Sequence, residues 1–172
     1  IGRAIARICH DEGARVAISS RTRYELEDTA AASNSMWLIV PCDIRQPSQV
    51  EAAVQKIVNE WGGIDILINN AGGGQAEKGD ARTLESSDLQ RLLDMNLVSV
   101  HTVTSVVLQN CQPQHIVNIS SRAGKIGIPG MFWLWTDSFF LLYSMIADRY
   151  GLLRRVQVCA GRILGYNSRG TP

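Results

Sequence analysis

Ile64-Asp65-Ile66-Leu67-Ile68 runs directly into Asn69-Asn70-Ala71-Gly72-Gly73-Gly74. A short, nearly continuous apolar run reads as a strand buried on both faces. The glycines that follow read as a loop whose backbone can approach a ligand. Upstream, Pro47 suits a first helical position, and Val50, Ala53, Val54, Ile57, Val58 and Trp61 recur at helical spacing until Gly62-Gly63. Further upstream lie a strand at Met36-Trp37-Leu38-Ile39-Val40, ending at Cys42-Asp43, a helix over 23–32 and a strand at Arg15-Val16-Ala17-Ile18-Ser19. The chain opens on a helical stripe of Ile1, Ile5, Ile8 and Cys9 that stops near Gly13. Downstream, a long helical stretch runs from about Ser87 to Cys111, and His115-Ile116-Val117-Asn118-Ile119 is a strand closing on Ser120-Ser121. Strands separated by helix-length segments, without short hairpin loops, imply βαβ units. The expected fold class is α/β: a doubly wound parallel sheet with helices on both faces.

The length of 172 residues suits one domain, and a net charge of +1 gives no electrostatic case for nucleic acid or an anionic membrane. Cys9, Cys42, Cys111 and Cys159 are widely spaced, as are His10, His101 and His115. That pattern supports neither a disulfide scaffold nor a metal site, and fits reduced thiols in a cytoplasmic protein. The opening Ile1-Gly2-Arg3 has no Met and no leader-like segment, so the chain reads as beginning inside something longer. Composition changes after Gly130: eight of the eleven aromatic residues lie between Phe132 and Tyr166. The stretch Met131–Ala147 carries one charge, Asp137, and is too short and interrupted for a membrane span. Residues 1–172 are therefore read as a single, incomplete domain with a divergent segment over 131–172.

Several blocks in order resemble the short-chain dehydrogenase/reductase family. They are Ile1-Gly2 with its helix, Ser19-Ser20-Arg21, Asp43, Asn69–Gly72, Asn96 within Met95-Asn96-Leu97, and Val117-Asn118-Ile119-Ser120-Ser121 followed by Ala123-Gly124. Each block is weak alone; their joint order and spacing over residues 1 to about 130 are specific. The resemblance implies a Rossmann-like sheet whose first strand would precede Ile1, lying between the strands at 15–19 and 64–68. It also implies that Gly2 is the last glycine of a turn facing the cofactor pyrophosphate.

After the strand at 15–19, a protein preferring NAD would usually place an acid for the ribose hydroxyls. This chain has Ser20 and Arg21 there, and a guanidinium pairs bidentately with a phosphate, which favours NADP over NAD. By resemblance Asp43 is the adenine-side acid with Ile44 beside the ring, and Asn69, Ala71 and Gly72 line the cofactor. The Asn pair also suits hydrogen bonds that tie neighbouring strands.

Carbonyl reduction needs a proton donor at the oxygen while hydride reaches carbon. The family uses a tyrosine four residues before a lysine, a serine and an asparagine. Resemblance gives catalytic slots to Ser121 and Asn96. The tyrosine and lysine slots fall at Leu134 and Ser138, or at Phe132 and Thr136, depending on the direction of counting. The absence is independent of register: Lys56, Lys78 and Lys125 are preceded at four residues by Ala52, Gly74 and Ser121.

Val156-Gln157-Val158-Cys159-Ala160-Gly161 resembles the family's next strand and cofactor turn, and the substrate-choosing region would lie past Pro172. The expected function is hydride transfer between NADP(H) and a small-molecule carbonyl or alcohol, impaired in this chain. The alternative is a non-catalytic dinucleotide-binding or interaction module. The resemblance also points to homo-oligomer contacts through helices near 98–111 and 136–150.

Overall fold

The computed structural model describes residues 1–33, 36–73 and 85–120, and the backbone of the strand Arg155–Cys159. Its elements are α1 (Gly2–Asp11), β1 (Arg15–Ser19), α2 (Arg23–Ala32), β2 (Leu38–Ile39), α3 (Pro47–Trp61) and β3 (Ile66–Asn69). There follow α4 (Ser86–Leu93), a π-turn (Asp94–Val98), α5 (Ser99–Asn110), β4 (His115–Asn118) and β5 (Arg155–Cys159). The helix ends follow from residue type. Pro47 opens α3, and Gly62 closes it at φ +79°. Gly13, at φ +87°, lets the chain turn from α1 into β1.

The sheet is parallel throughout, in the order β2-β1-β5-β3-β4. Strand alternation sorts its side chains into two cores. Val16, Ile18, Ile66 and Ile68 face Ala6 of α1 and Leu26 and Ala30 of α2, with Trp37 beside them. Ala17, Leu67 and Ile116 face Val54 and Ile57 of α3 and Val103 and Val107 of α5. Both faces are covered, as the near-continuous apolar runs require.

Three expectations are corrected. The strand at 36–40 shrinks to Leu38–Ile39, although Val40 and Cys42 still donate N–H bonds to the Ile18 and Ser20 carbonyls at 3.0 and 2.9 Å. The helical stretch 87–111 is three pieces, because a π-turn interrupts it at Asp94–Val98.

The third correction is the largest. The segment read as a strand following β4 in the family's order, and the gap assigned to a strand before Ile1, turn out to be one feature. β5 lies between β1 and β3, pairing Val156 with Val16 on one side and Ile66 on the other. The mid-sheet N–H and C=O rows of β1 and β3 need partners, since buried unpaired backbone groups are costly. A parallel β-branched segment supplies them on both sides at once, in the place that the resemblance gives to a strand preceding Ile1.

Candidate functional site

All strands run the same way, so the residues following β1, β2, β3 and β4 gather along one rim of the sheet, where ligands bind in doubly wound folds. Ladder-like bonds extend beyond the strands to hold this rim. Cys42 N–H donates to the Ser20 carbonyl at 2.9 Å, and Ile119 N–H to the Asn69 carbonyl at 2.9 Å.

A hollow of about 80 Å³ opens there, walled by Ser20, Arg21, Asp43, Ile44 and Ala71. These five residues, singled out from sequence on three separate blocks, are brought together by the fold. A larger groove of about 920 Å³ adjoins it between α1 and α2, and Gly2 lines its α1 side. Ser20 and Glu25 line both. The groove is the larger space, while Arg21, Asp43 and the buried Ile44 stand together only in the wall of the hollow.

Ser20 shapes this wall through a local turn. Its hydroxyl donates to the Thr22 carbonyl at 3.2 Å and accepts from the Thr22 N–H at 3.3 Å, fixing the bend that carries Arg21. Asp43 is held more firmly. Arg45 donates its Nε to Oδ1 at 2.9 Å and its Nη2 to Oδ2 at 2.6 Å. This side-chain bonding holds the Asp43 carboxyl below the usual carboxylate range, against the opposing effect of partial burial; the Arg21 charge adds to the lowering. Burial, with the Asp43 charge adding to it, pushes the neighbouring Cys42 thiol up to about 11. It stays protonated at neutral pH and is no nucleophile there.

Asn69, Gly72 and Asn96 line neither cavity; they form a hydrogen-bonded layer behind the rim. The Asn69 amide donates to Asn118 Oδ1 at 2.8 Å and Thr104 Oγ1 at 3.1 Å, joining β3 to β4 and α5. Asn96 is buried in the π-turn, where its Oδ1 accepts the Gly73 N–H at 2.7 Å and its Nδ2 donates to the Leu92 carbonyl at 3.1 Å. A Cβ on Gly72 would stand 3.0 Å from that Oδ1. Asn96 is fixed at both ends and cannot yield freely. Gly72→Ala is expected to destabilise the chain by about 1–3 kcal/mol, the usual range for overpacking, measured by denaturant unfolding. An unchanged midpoint would show that the loop relaxes instead. Ser121 lies outside the described residues.

Thr22, Glu25, Cys42 and Met95 also wall the hollow, and sequence reading missed them. Their only signal was adjacency to Arg21, Asp43 and Asn96, except for Glu25, which arrives one helical turn later. Among the described residues no group of three His, Cys, Asp or Glu is placed to hold a metal. None of their helices is long and apolar enough to cross a membrane.

A dinucleotide fits the residues present. The hollow offers a carboxylate acceptor, a guanidinium for an anion, and the buried Ile44 as apolar surface for a base. Arg21 makes no ion pair among the described residues, although its charge is felt at Asp43. The helix start at Gly2 lies along the adjoining groove.

The comparisons with known proteins agree with this geometry. A family model for short chain dehydrogenase matches residues 1–133. Nodulation protein G of a Rhizobium species is 32% identical over 133 residues, covering 76% of this chain and 54% of that protein. The chain thus spans about half the length of the curated relatives it matches. Serine dehydrogenase from Escherichia coli superposes with a TM-score of 0.73 at 26% identity, over 81% of this chain and 66% of that one. A closed form of serine dehydrogenase complexed with NADP+ gives the same score and identity, over 81% of this chain and 57% of that one. A parallel sheet bearing Arg21 and Asp43 at one rim, with Asn69 and Asn96 supporting it from behind, and a family match over three quarters of the sequence, lead to one assignment. The chain belongs to the short-chain dehydrogenase family.

Proposed function

We propose that this chain binds NADP(H), with the 2′-phosphate on Arg21, and that it derives from an oxidoreductase acting on carbonyl/alcohol pairs. The observation that carries the reading is the wall of the hollow: a guanidinium without an ion-pair partner among the described residues stands beside Ser20, where an acid would favour NAD. Asp43 and Ile44 would hold the adenine by an acceptor and an apolar contact, and the start of α1 would face the pyrophosphate. When bound, the nicotinamide supplies or takes the hydride. Asn96 would keep the Gly72–Gly73 loop at the height the cofactor needs. The substrate would be a small carbonyl or alcohol, with no residue of this chain assigned to choosing it.

The test is calorimetric. The 172-residue chain is expected to bind NADP+ more tightly than NAD+, and Arg21→Asp, which puts an anion against the phosphate, to reverse the order. A charge-assisted hydrogen bond contributes about 1.5–3 kcal/mol, so the ratio of affinities should move by at least about tenfold. Equal affinities that ignore Arg21→Asp would remove the case for NADP.

A second reading, a non-catalytic dinucleotide-binding or interaction module, is favoured by the absence of any Tyr-x-x-x-Lys in the chain. Val98 and Leu108, both 49% exposed at the π-turn and on α5, support self-association through that helix.

A further inference from the structure

We propose that Arg45 is the positioning residue of the base-binding end: it clasps Asp43 from outside the hollow and leaves one carboxylate acceptor site for an amino N–H, so that the site selects a 6-amino base over its 6-oxo counterpart. The inference rests on the dinucleotide reading above and deepens it.

The geometry is a count of acceptor sites. A carboxylate oxygen accepts about two hydrogen bonds. On Oδ1 both are taken, by the Arg45 backbone N–H at 3.1 Å and its Nε at 2.9 Å. On Oδ2 Arg45 Nη2 takes one, at 2.6 Å. Among the described residues, one site on Oδ2 therefore remains. Asp43 is one of the walls of the hollow, whereas Arg45 is not, so the clasp comes from behind.

The Asp43 backbone is held separately. Its N–H donates to Gln49 Oε1 at 2.9 Å, and its carbonyl accepts the Gln46 N–H at 2.9 Å. The turn thus has supports that do not use the Arg45 side chain. Arg45 fixes the carboxylate plane and keeps the group ionised, and an ionised, oriented acceptor discriminates by chemistry. An adenine 6-amino group donates to it, while a hypoxanthine 6-oxo group presents oxygen to oxygen and leaves both unpaired.

The charged and titratable groups around Asp43 are Arg45 on its own loop, Arg21 on the loop after β1, Glu25 on α2 and the Cys42 thiol. Loss of Arg45 leaves Arg21 as the one cation among the described residues that opposes burial of the carboxyl, which therefore titrates higher.

The experiment compares NADP+ with its hypoxanthine analogue by calorimetry, in the 172-residue chain and in Arg45→Gln and Arg45→Lys. It also follows the Asp43 carboxyl by carbon NMR across acid pH in the ligand-free protein. The unaltered chain is expected to prefer the adenine dinucleotide by about tenfold or more. Arg45→Gln is expected to lower that preference several-fold and to move the Asp43 midpoint up. Arg45→Lys keeps the charge without the two-point fork, so it lowers the preference and moves the midpoint less. It also serves as the near-isosteric variant if the Gln form does not fold. Tight binding with the same adenine preference in both variants would overturn the assignment of Arg45 alone. Failure of the unaltered chain to bind either dinucleotide would overturn the cofactor reading, and the base selection with it. A purely structural Arg45 would lower both affinities together and leave their ratio unmoved.

Discussion

A chain ending at Arg154 is expected to lose its cooperative thermal transition. β5 pairs five positions of β1 and four of β3, in the middle of the sheet. Removing it exposes two rows of backbone N–H and C=O groups flanked by apolar surface, an arrangement that invites aggregation. Each buried group left unpaired costs about 1–3 kcal/mol. A handful of them equals the roughly 5–15 kcal/mol of net stability typical of a domain. Val158→Pro is the gentler form of the same test. Val158 stands opposite Ile18 and Ile68, and proline there removes a donor from a central strand. Circular dichroism melts of the full chain, the truncation and the proline variant distinguish the outcomes. A truncated chain melting as sharply, and at the same temperature, as residues 1–172 would show that β1 and β3 do not depend on β5.

Turnover is the second large effect. With no phenol–amine pair at the required spacing, NADPH-dependent reduction of small ketones by this chain should be slower than in a variant with a restored donor. A positioned general acid is worth about 10²–10⁴-fold. Two double variants restore it: Leu134→Tyr with Ser138→Lys, and Phe132→Tyr with Thr136→Lys. Only one spacing from Ser121 can be correct, so a gain is expected in one variant and not in the other. NADPH oxidation followed spectrophotometrically reads this directly. Rapid reduction by the unaltered chain would mean that another group supplies the proton.

Much of the fold was legible because it rests on local patterns. The apolar run of Val16, Ala17 and Ile18, the spacing from Val50 to Trp61, and glycines at 13 and 62 each declare an element within a few residues. Ladder pairing is different. Val156-Gln157-Val158 reads as a strand, but its neighbours in the sheet are 90 or more residues away, and nothing within the segment encodes that it lies between β1 and β3. The π-turn was hidden because one surplus residue in a helix hardly disturbs an apolar stripe. At the candidate site, Arg21 and Asp43 were legible through their motif blocks. Asn69 was legible also as a tie between neighbouring strands, which its bond to Asn118 bears out, whereas the support Asn96 gives to Gly73 was not legible, since the partner comes from another element. Arg45 escaped notice because an arginine in a polar turn looks like ordinary solvated charge until its two-point grip on Asp43 is seen.

The π-turn has a consequence for the angular phase of the helix it interrupts. Each residue of an α-helix advances the winding by about 100°. The surplus residue at Asp94–Val98 therefore sets α4 and α5 out of phase by roughly that amount compared with one uninterrupted cylinder. Leu92 on the first piece and Val103 on the second are both buried despite the offset. A one-residue deletion within 94–98 would regularise every hydrogen bond and yet rotate α4 away from the orientation at which Asn96 reaches Gly73. For this helix, local ideality and a correctly held cofactor loop are opposed, and length variation is least tolerated where the backbone is least regular.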